Sequence, residues 1–428
     1  MTTNAEIKKK HDALLFPCTV NYYAEPIAFA KGAGVRLTDV EDNEYLDFFG
    51  GILTVSLSHC HPEIARKTAE QLMKLQHVST LYPTEGIVAL AEKMAEIAPG
   101  KLCKSFFTSS GTEADETAIM AAKLHNGGGD IIALRHCYSG RSLVAVNLCG
   151  HSNWRVGPTQ IPGIKHAHVP YCYRCAMGLK YPECGLQCAV DLEELIMTET
   201  CGKIAAFIAE PILGVGGFIV PPADYFKVAV EIVRKHGGLF IADEVQTGFG
   251  RTGGKMNGIE QFGVEPDICT YAKGMANGVP IGATVATAEV AASFSGLSIA
   301  TFGGNPVSAA AALATIEIMQ REDVPAKAAT LGARLRAGLE ALADKFDYVG
   351  EVRGMGLMQA MELVEDRKTR EPSAAKAAAL MEETKKEGLL IGKGGLYGNT
   401  LRIAPPMLMS QDDLDEGLEK LGRAMERV

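Results

Sequence analysis

From about Lys101 to Thr287, short unbroken apolar runs alternate with segments of helical period. Ser105–Thr108 (SFFT), Asp130–Leu134 (DIIAL), Ile204–Ile212 (IAAFIAEPI), Gly237–Val245 (GGLFIADEV) and Ile268–Ala272 read as buried strands. Thr112–His125 reads as a helix with acidic residues in its first turns. In ADYFKVAVEIVRKHG, Phe226, Ala229, Val230 and Val233 share one helical face, and Gly237 stands where a C-cap belongs. Continuous apolar strands separated by amphipathic helices predict βαβ units and a mostly parallel sheet covered on both faces.

The two ends follow other patterns. Ala28–Phe49 alternates in the manner of an antiparallel hairpin that turns at EDNE. After about Ala310 come long amphipathic helices, ATLGARLRAGLEALADKF and AAKAAALMEETKKEG, with short strands near Gly356–Leu363 and Thr400–Ile403. This predicts an α/β chain whose large central domain (66–310) is joined to a smaller α+β domain built from both termini (1–65 and 311–428). No solenoid-period repeat and no low-complexity linker interrupts it.

The chain has 428 residues, 47% hydrophobic and 22% charged, the balance of a globular enzyme with ample core. A net charge of −9, with no basic run longer than Lys8–Lys10, makes nucleic acid and anionic membranes poor partners. No apolar stretch approaches the ~20 residues of a membrane span. MTTNAEIKKKHDALLFP lacks the apolar core of a secretory signal. Eleven cysteines, an odd number, point to free thiols in a reducing compartment, so a cytoplasmic location is expected.

In an open parallel sheet, ligands gather at the carboxyl ends of the strands. Glu210 and Asp243 end two strands and Lys273 follows a third, with no acid near it in sequence. Each has a plainer reading; Asp243, for instance, could cap the next turn. SSGTEADE opens a helix with free N–H groups and a hydroxyl, which suits a phosphate or is an ordinary N-cap with Asp115 as partner. No Walker pattern occurs, so a nucleoside triphosphate is not the obvious owner of that phosphate. A phosphate site, a strand-end acid, an aromatic at Tyr138 and a sequestered lysine jointly suggest pyridoxal phosphate (PLP). Lysine suits the carbonyl of that cofactor because desolvation yields a neutral, nucleophilic amine. Gly274 and the small residues after it then read as clearance beside a bulky ligand.

With these residues in place, the chain resembles the class III aminotransferases, PLP enzymes of fold type I, over nearly its whole length. The resemblance rests on FIADEVQTGFGRTG (Phe240–Gly253) followed by PDICTYAKGMANGVPIGA. YLDFFGGI, SHCHPEI, SSGTEADE, YSGR, AEPILGVGG, ATFGGNPVSAAAALA and LRIAPP follow the family's order. It implies a large domain with a seven-stranded, mostly parallel sheet. It also implies that Lys273 binds the cofactor aldehyde and then moves the proton of the 1,3-transfer, and that Asp243 pairs with the pyridine nitrogen. Val245 and Tyr138 would pack on the two ring faces, Gln246 would reach the ring hydroxyl, and the Gly111 and Thr112 backbone would hold the phosphate. Thr301 would complete that site from the neighbouring subunit of a homodimer, with a tetramer as the alternative.

For substrate, the resemblance assigns Arg402 to an α-carboxylate, Glu210 to pairing with and masking Arg402, Arg141 to the distal end, and Ile52 to the pocket wall. The plainer reading of each arginine is a structural ion pair. The expected activity is ping-pong transfer from an ω-amino acid or amine (4-aminobutyrate or β-alanine-like), or alanine, to pyruvate, glyoxylate or 2-oxoglutarate. Phospho-lyases, a decarboxylase and racemases share the scaffold, though Arg141 is unlike the phospho-lyases. Two positions depart from the family: Asp115 stands where Asn is usual and is expected to face away, and Ser139 stands where His is usual. Cys172, Cys175, Cys184 and Cys188 have a spacing open to structural zinc or, the favoured reading, to free thiols in an ordered loop.

Overall fold

The computed structural model describes residues 3–19, 21–157 and 160–428. Near the start, β1 (Phe29–Ala33), β2 (Arg36–Asp39) and β3 (Glu44–Asp47) form an antiparallel meander. The single hairpin expected over Ala28–Phe49 is therefore three strands with two turns. The first turn, at Gly34–Val35, does not interrupt the apolar alternation and so escapes a periodicity reading. The second is closed by Asp39 Oδ1, which accepts the N–H groups of Glu41 and Asn43 at 2.9 Å each.

The central sheet contains β4 (Leu102–Thr108), β5 (Asp130–Leu134), β6 (Ile164–Ala167), β7 (Ile204–Ala209), β8 (Leu239–Asp243), β9 (Ile268–Tyr271) and β10 (Gly282–Thr287). Their spatial order is β4-β10-β9-β8-β7-β5-β6; β10 runs antiparallel to both neighbours and the five strands from β9 to β6 are parallel. The α/β fold with a seven-stranded, mostly parallel sheet is thus observed. β4 starts at Leu102, before the expected Ser105, and exposes Cys103 and Lys104 as an edge strand can. β6, with its Lys and His, carries too weak an apolar signal to be read as a strand alone.

The helix Tyr225–Lys235 buries Phe226, Ala229, Val230 and Val233 as its period requires, and Phe226 packs against Phe240 of β8 at 5.6 Å between ring centroids. Gly237, at φ +74°, ends it, with its N–H on the Arg234 carbonyl. Toward the C-terminus, β11 (Val349–Met355), β12 (Met358–Leu363), β14 (Gly392–Gly394) and β15 (Thr400–Ile403) form a third sheet. β13 (Leu389–Leu390) leaves it to pair in parallel with β3, so both ends of the chain share one sheet. Strand order reverses between β5 and β7, which places the ligand crevice of such a sheet above their carboxyl ends. Among the described residues no helix is long and apolar enough to cross a membrane.

Candidate active site

β9 ends at Tyr271, and the chain turns so that Lys273, at φ +41°, opens a short 3₁₀ segment. The turn is strapped from outside. Ser56 Oγ donates to the Gly274 carbonyl (2.9 Å), while Asn277 accepts the Leu57 N–H and donates to the Ser58 carbonyl, both at 2.9 Å. Gly274 makes room for this strap, since a Cβ there would lie 3.3 Å from Ser56 Cβ. That clearance serves Ser56.

Lys273 reaches into a cavity of about 230 Å³ that Glu210 and Asp243 also line. Val245 N–H donates to Asp243 Oδ1 at 3.1 Å. Glu210 accepts two backbone donors, Tyr138 N–H at 3.0 Å and Gly214 N–H at 2.7 Å. Burial pushes the Glu210 carboxyl up to about 8 and that of Asp243 up to about 6. The same dry surroundings hold the Lys273 amine below its ordinary value, against the opposing pull of Asp243 and Glu210.

The helix Gly111–Asn126 presents its N-terminus to this cavity through Gly111 and Thr112. Ser110 caps it, accepting the Glu113 N–H, and Glu113 Oε2 accepts from Ser109 N–H and Ser110 O–H at 2.9 Å each. The capping partner is therefore Glu113, the third helical residue, and not Asp115. Asp115 lies four residues after Gly111, on the same helical face, so it lines the cavity instead of facing away. The Thr112 hydroxyl is engaged by Ser142 Oγ at 2.7 Å, which leaves its backbone N–H as the group available to a ligand.

Tyr138, Arg141, Val245, Gln246 and Ser139 complete the wall. Tyr138 is held edge-on by Trp154, 5.3 Å away between ring centroids. Gln246 packs where Gly214 has no side chain, and its Oε1 is buried without a partner. Three expected site residues lie outside this cavity. Thr301 is exposed, and Ile52 is exposed in a left-handed turn at φ +66°. Arg402 is buried on β15, and no ion pair joins it to Glu210 among the described residues. Its Nη1 donates to the Gly214 carbonyl (3.4 Å), its Nη2 to the Tyr22 hydroxyl (3.3 Å) and its Nε to the Lys393 carbonyl (3.1 Å), with the guanidinium 4.9 Å from the Phe49 ring centre. Gly214 thus stands between the two, its N–H on Glu210 and its carbonyl on Arg402.

Sequence reading missed Tyr22, Gly214 and Asn277. Only Asn277 carried a signal, its place four residues after the lysine. Cys172, Cys175, Cys184 and Cys188 are free thiols lining a separate cavity. Among the described residues no group of three or more His, Cys, Asp or Glu side chains is arranged to hold a metal ion.

The residues fit PLP. A helix N-terminus suits its phosphate, the unpartnered Gln246 Oε1 suits a ring hydroxyl, and Asp243 and Lys273 suit the ring nitrogen and the aldehyde. The sequence profile of the aminotransferase class-III family matches residues 19–425. Alanine–glyoxylate aminotransferase 2 homolog 2, mitochondrial, of Arabidopsis thaliana is 41% identical over 423 residues, 99% of this chain and 87% of that protein. An amine transaminase from an uncultivated Pseudomonas species, solved in the PLP-bound internal aldimine form, superposes with a TM-score of 0.91 at 32% identity, covering 97% of this chain and 98% of that one. A phospholyase from Arthrobacter in complex with phosphoethanolamine superposes equally well, at 0.91 and 32% identity over 99% of this chain and 100% of that one. The chain belongs to the class III aminotransferases, the PLP-dependent transaminases.

Proposed function

We propose that the enzyme moves an amino group from an ω-amino acid or amine (4-aminobutyrate or β-alanine-like), or alanine, to pyruvate, glyoxylate or 2-oxoglutarate. The observation that carries this is the convergence of Lys273, Asp243 and Arg141 on one cavity beside a helix N-terminus. When bound, PLP supplies the electron sink that makes a proton on the amine-bearing carbon removable. Lys273, its amine held below the usual value, takes up and returns that proton. Asp243 pairs with the ring nitrogen, Gln246 with the ring hydroxyl, Tyr138 and Val245 pack the ring faces, and Gly111 and Thr112 N–H groups hold the phosphate.

Arg141 takes the distal end of the donor and Ile52 contributes to the pocket wall. Arg402 takes a carboxylate. Its Nη donors rest on two neutral acceptors, Gly214 O and Tyr22 Oη, which a charged bidentate carboxylate outcompetes. Thr301, exposed on its own subunit, completes the phosphate site of a neighbour in a homodimer, or in a tetramer of paired subunits. The β3–β13 pairing supports a small domain of residues 1–65 and 311–428 around a large one of 66–310. Eleven free cysteines support a reducing, cytoplasmic setting, although the Arabidopsis relative is named mitochondrial.

Mixing the purified holoenzyme with single amino donors, and following the cofactor absorption, tests this reading. One equivalent of carbonyl product per site without added oxo acid is expected. The likeness to the Arthrobacter phospholyase keeps a lyase reading in view, with decarboxylation and racemisation as further reactions of the same scaffold. Phosphate release from an amino-alcohol phosphate, with no need for a 2-oxo acid, would overturn amino transfer.

A further inference from the structure

Asp115, like Glu210, is an acid of the cavity with no task in the reading above. It is 1% exposed and shares the cavity with Asp243, which is 3% exposed. Asp115 Oδ1 receives no donor. Thr270, on β9, lies beside both carboxyls and lowers the proton affinity of each, but its Oγ1 is not aligned for a hydrogen bond with either. A buried carboxylate oxygen that no donor reaches is costly. On a neutral acid the same oxygen is a hydroxyl, and Asp243 is the acceptor nearest in kind. Neighbouring buried carboxyls do not both ionise.

We propose that Asp115 is a positioning residue that carries the one proton of the Asp115–Asp243 pair and donates it toward Asp243, as a neutral amide would. Its importance for catalysis rests on the reading that Asp243 faces the ring nitrogen. A neutral Asp115 lets Asp243 keep its negative charge; an ionised Asp115 would bring a second charge to the same place.

The groups around Asp115 agree with this assignment. Burial raises its proton affinity most, with Asp243 at the end of β8 and Glu210 after β7 adding to it, while the Thr270 hydroxyl on β9 and, more weakly, Lys273 after β9 oppose them. On its own helix, Glu113 is spent on the cap and Glu116 accepts from Ser142 Oγ at 2.5 Å. From β10, the Thr284 hydroxyl is engaged by the Ala114 carbonyl at 2.7 Å.

The test is thermal unfolding of the cofactor-free protein as a function of pH, wild type against D115N. An acid whose folded value lies above its unfolded value must gain a proton on folding, so stability falls as pH rises between the two. D115N cannot ionise and escapes that fall. The difference in Tm, D115N minus wild type, is expected to grow as pH rises from the ordinary carboxyl range through neutrality. An offset of constant size across that range overturns the proposal. Asp115→Ser, smaller and equally unable to ionise, must show the same growing difference and serves if D115N does not accumulate folded. A second readout separates the two layers: in the holoenzyme, D115N is expected to move the pH midpoint of the cofactor absorption. If the cofactor-free difference grows but that midpoint stays fixed, the shared proton stands and the placement of Asp243 against the cofactor falls.

Discussion

At the residue scale, the site is a set of buried acids around one lysine, and each acid has a distinct environment. Glu210 accepts two backbone N–H groups that have no other acceptor, so Glu210→Ala should cost about 1–3 kcal/mol per orphaned donor, read by chemical denaturation. Because no ion pair ties Glu210 to Arg402, the same variant should leave the ratio of kcat/KM for ω- and α-amino donors within about threefold of wild type; a shift beyond about tenfold (~1.4 kcal/mol) would show that the pair forms in solution. Burial raises Glu210 to about 8, so its folded form favours the proton and stability declines as pH rises from the ordinary carboxyl range through that value. Glu210→Gln should flatten that decline in the cofactor-free protein, and an unchanged slope would contradict it. Lys273, Asp243 and Glu210 are legible in the sequence because strand ends of a parallel sheet share one edge. The direction of Asp115 is not, since it depends on which helical residue takes the cap, and Glu113 takes it.

At the element scale, Lys273 sits on a turn fastened by a segment more than 200 residues earlier. Asn277 bonds both Leu57 N–H and Ser58 O, and it adopts φ +48°, a conformation asparagine tolerates better than most residues. Asn277→Ala should therefore destabilise by about 2–4 kcal/mol, as two backbone groups lose their partner and the left-handed turn loses a suited residue. Denaturant midpoints check this, and a loss below about 0.5 kcal/mol, the size of an ordinary surface substitution, would mean that the strap is dispensable. Strand β5 is readable from sequence to the residue, β15 close to it, and the helix Tyr225–Lys235 falls within the stretch 223–237, because their apolar period ends at Gly237 or at polar turns. The N-terminal meander is not, because Gly34 and Val35 keep the alternation of a single strand. The strap itself is invisible to periodicity, being made of side-chain bonds to distant backbone.

At the scale of the whole molecule, strands from both ends of the chain meet on one sheet, and Arg402 of the neighbouring β15 donates to Tyr22 and lies over the Phe49 ring, two residues from the N-terminal part. The proposed dimer makes a specific demand, that Thr301 of one subunit serve the Lys273 of the other. Subunits bearing Lys273→Ala and subunits bearing Thr301→Glu, each inactive alone, should recover about a quarter of wild-type activity when randomly re-paired, since half the dimers regain one intact site. No recovery in verified hybrids would place Thr301 outside the site. The central claim is that Lys273 carries amino transfer. Its most direct test is the steady-state conversion of alanine or 4-aminobutyrate with a 2-oxo acid, counting amino product against oxo product in wild type and Lys273→Ala. The account expects one-to-one exchange in the wild type and a loss of at least ~10²–10⁴-fold in the variant, the contribution of a positioned acid–base group. Equal turnover by Lys273→Ala would contradict it.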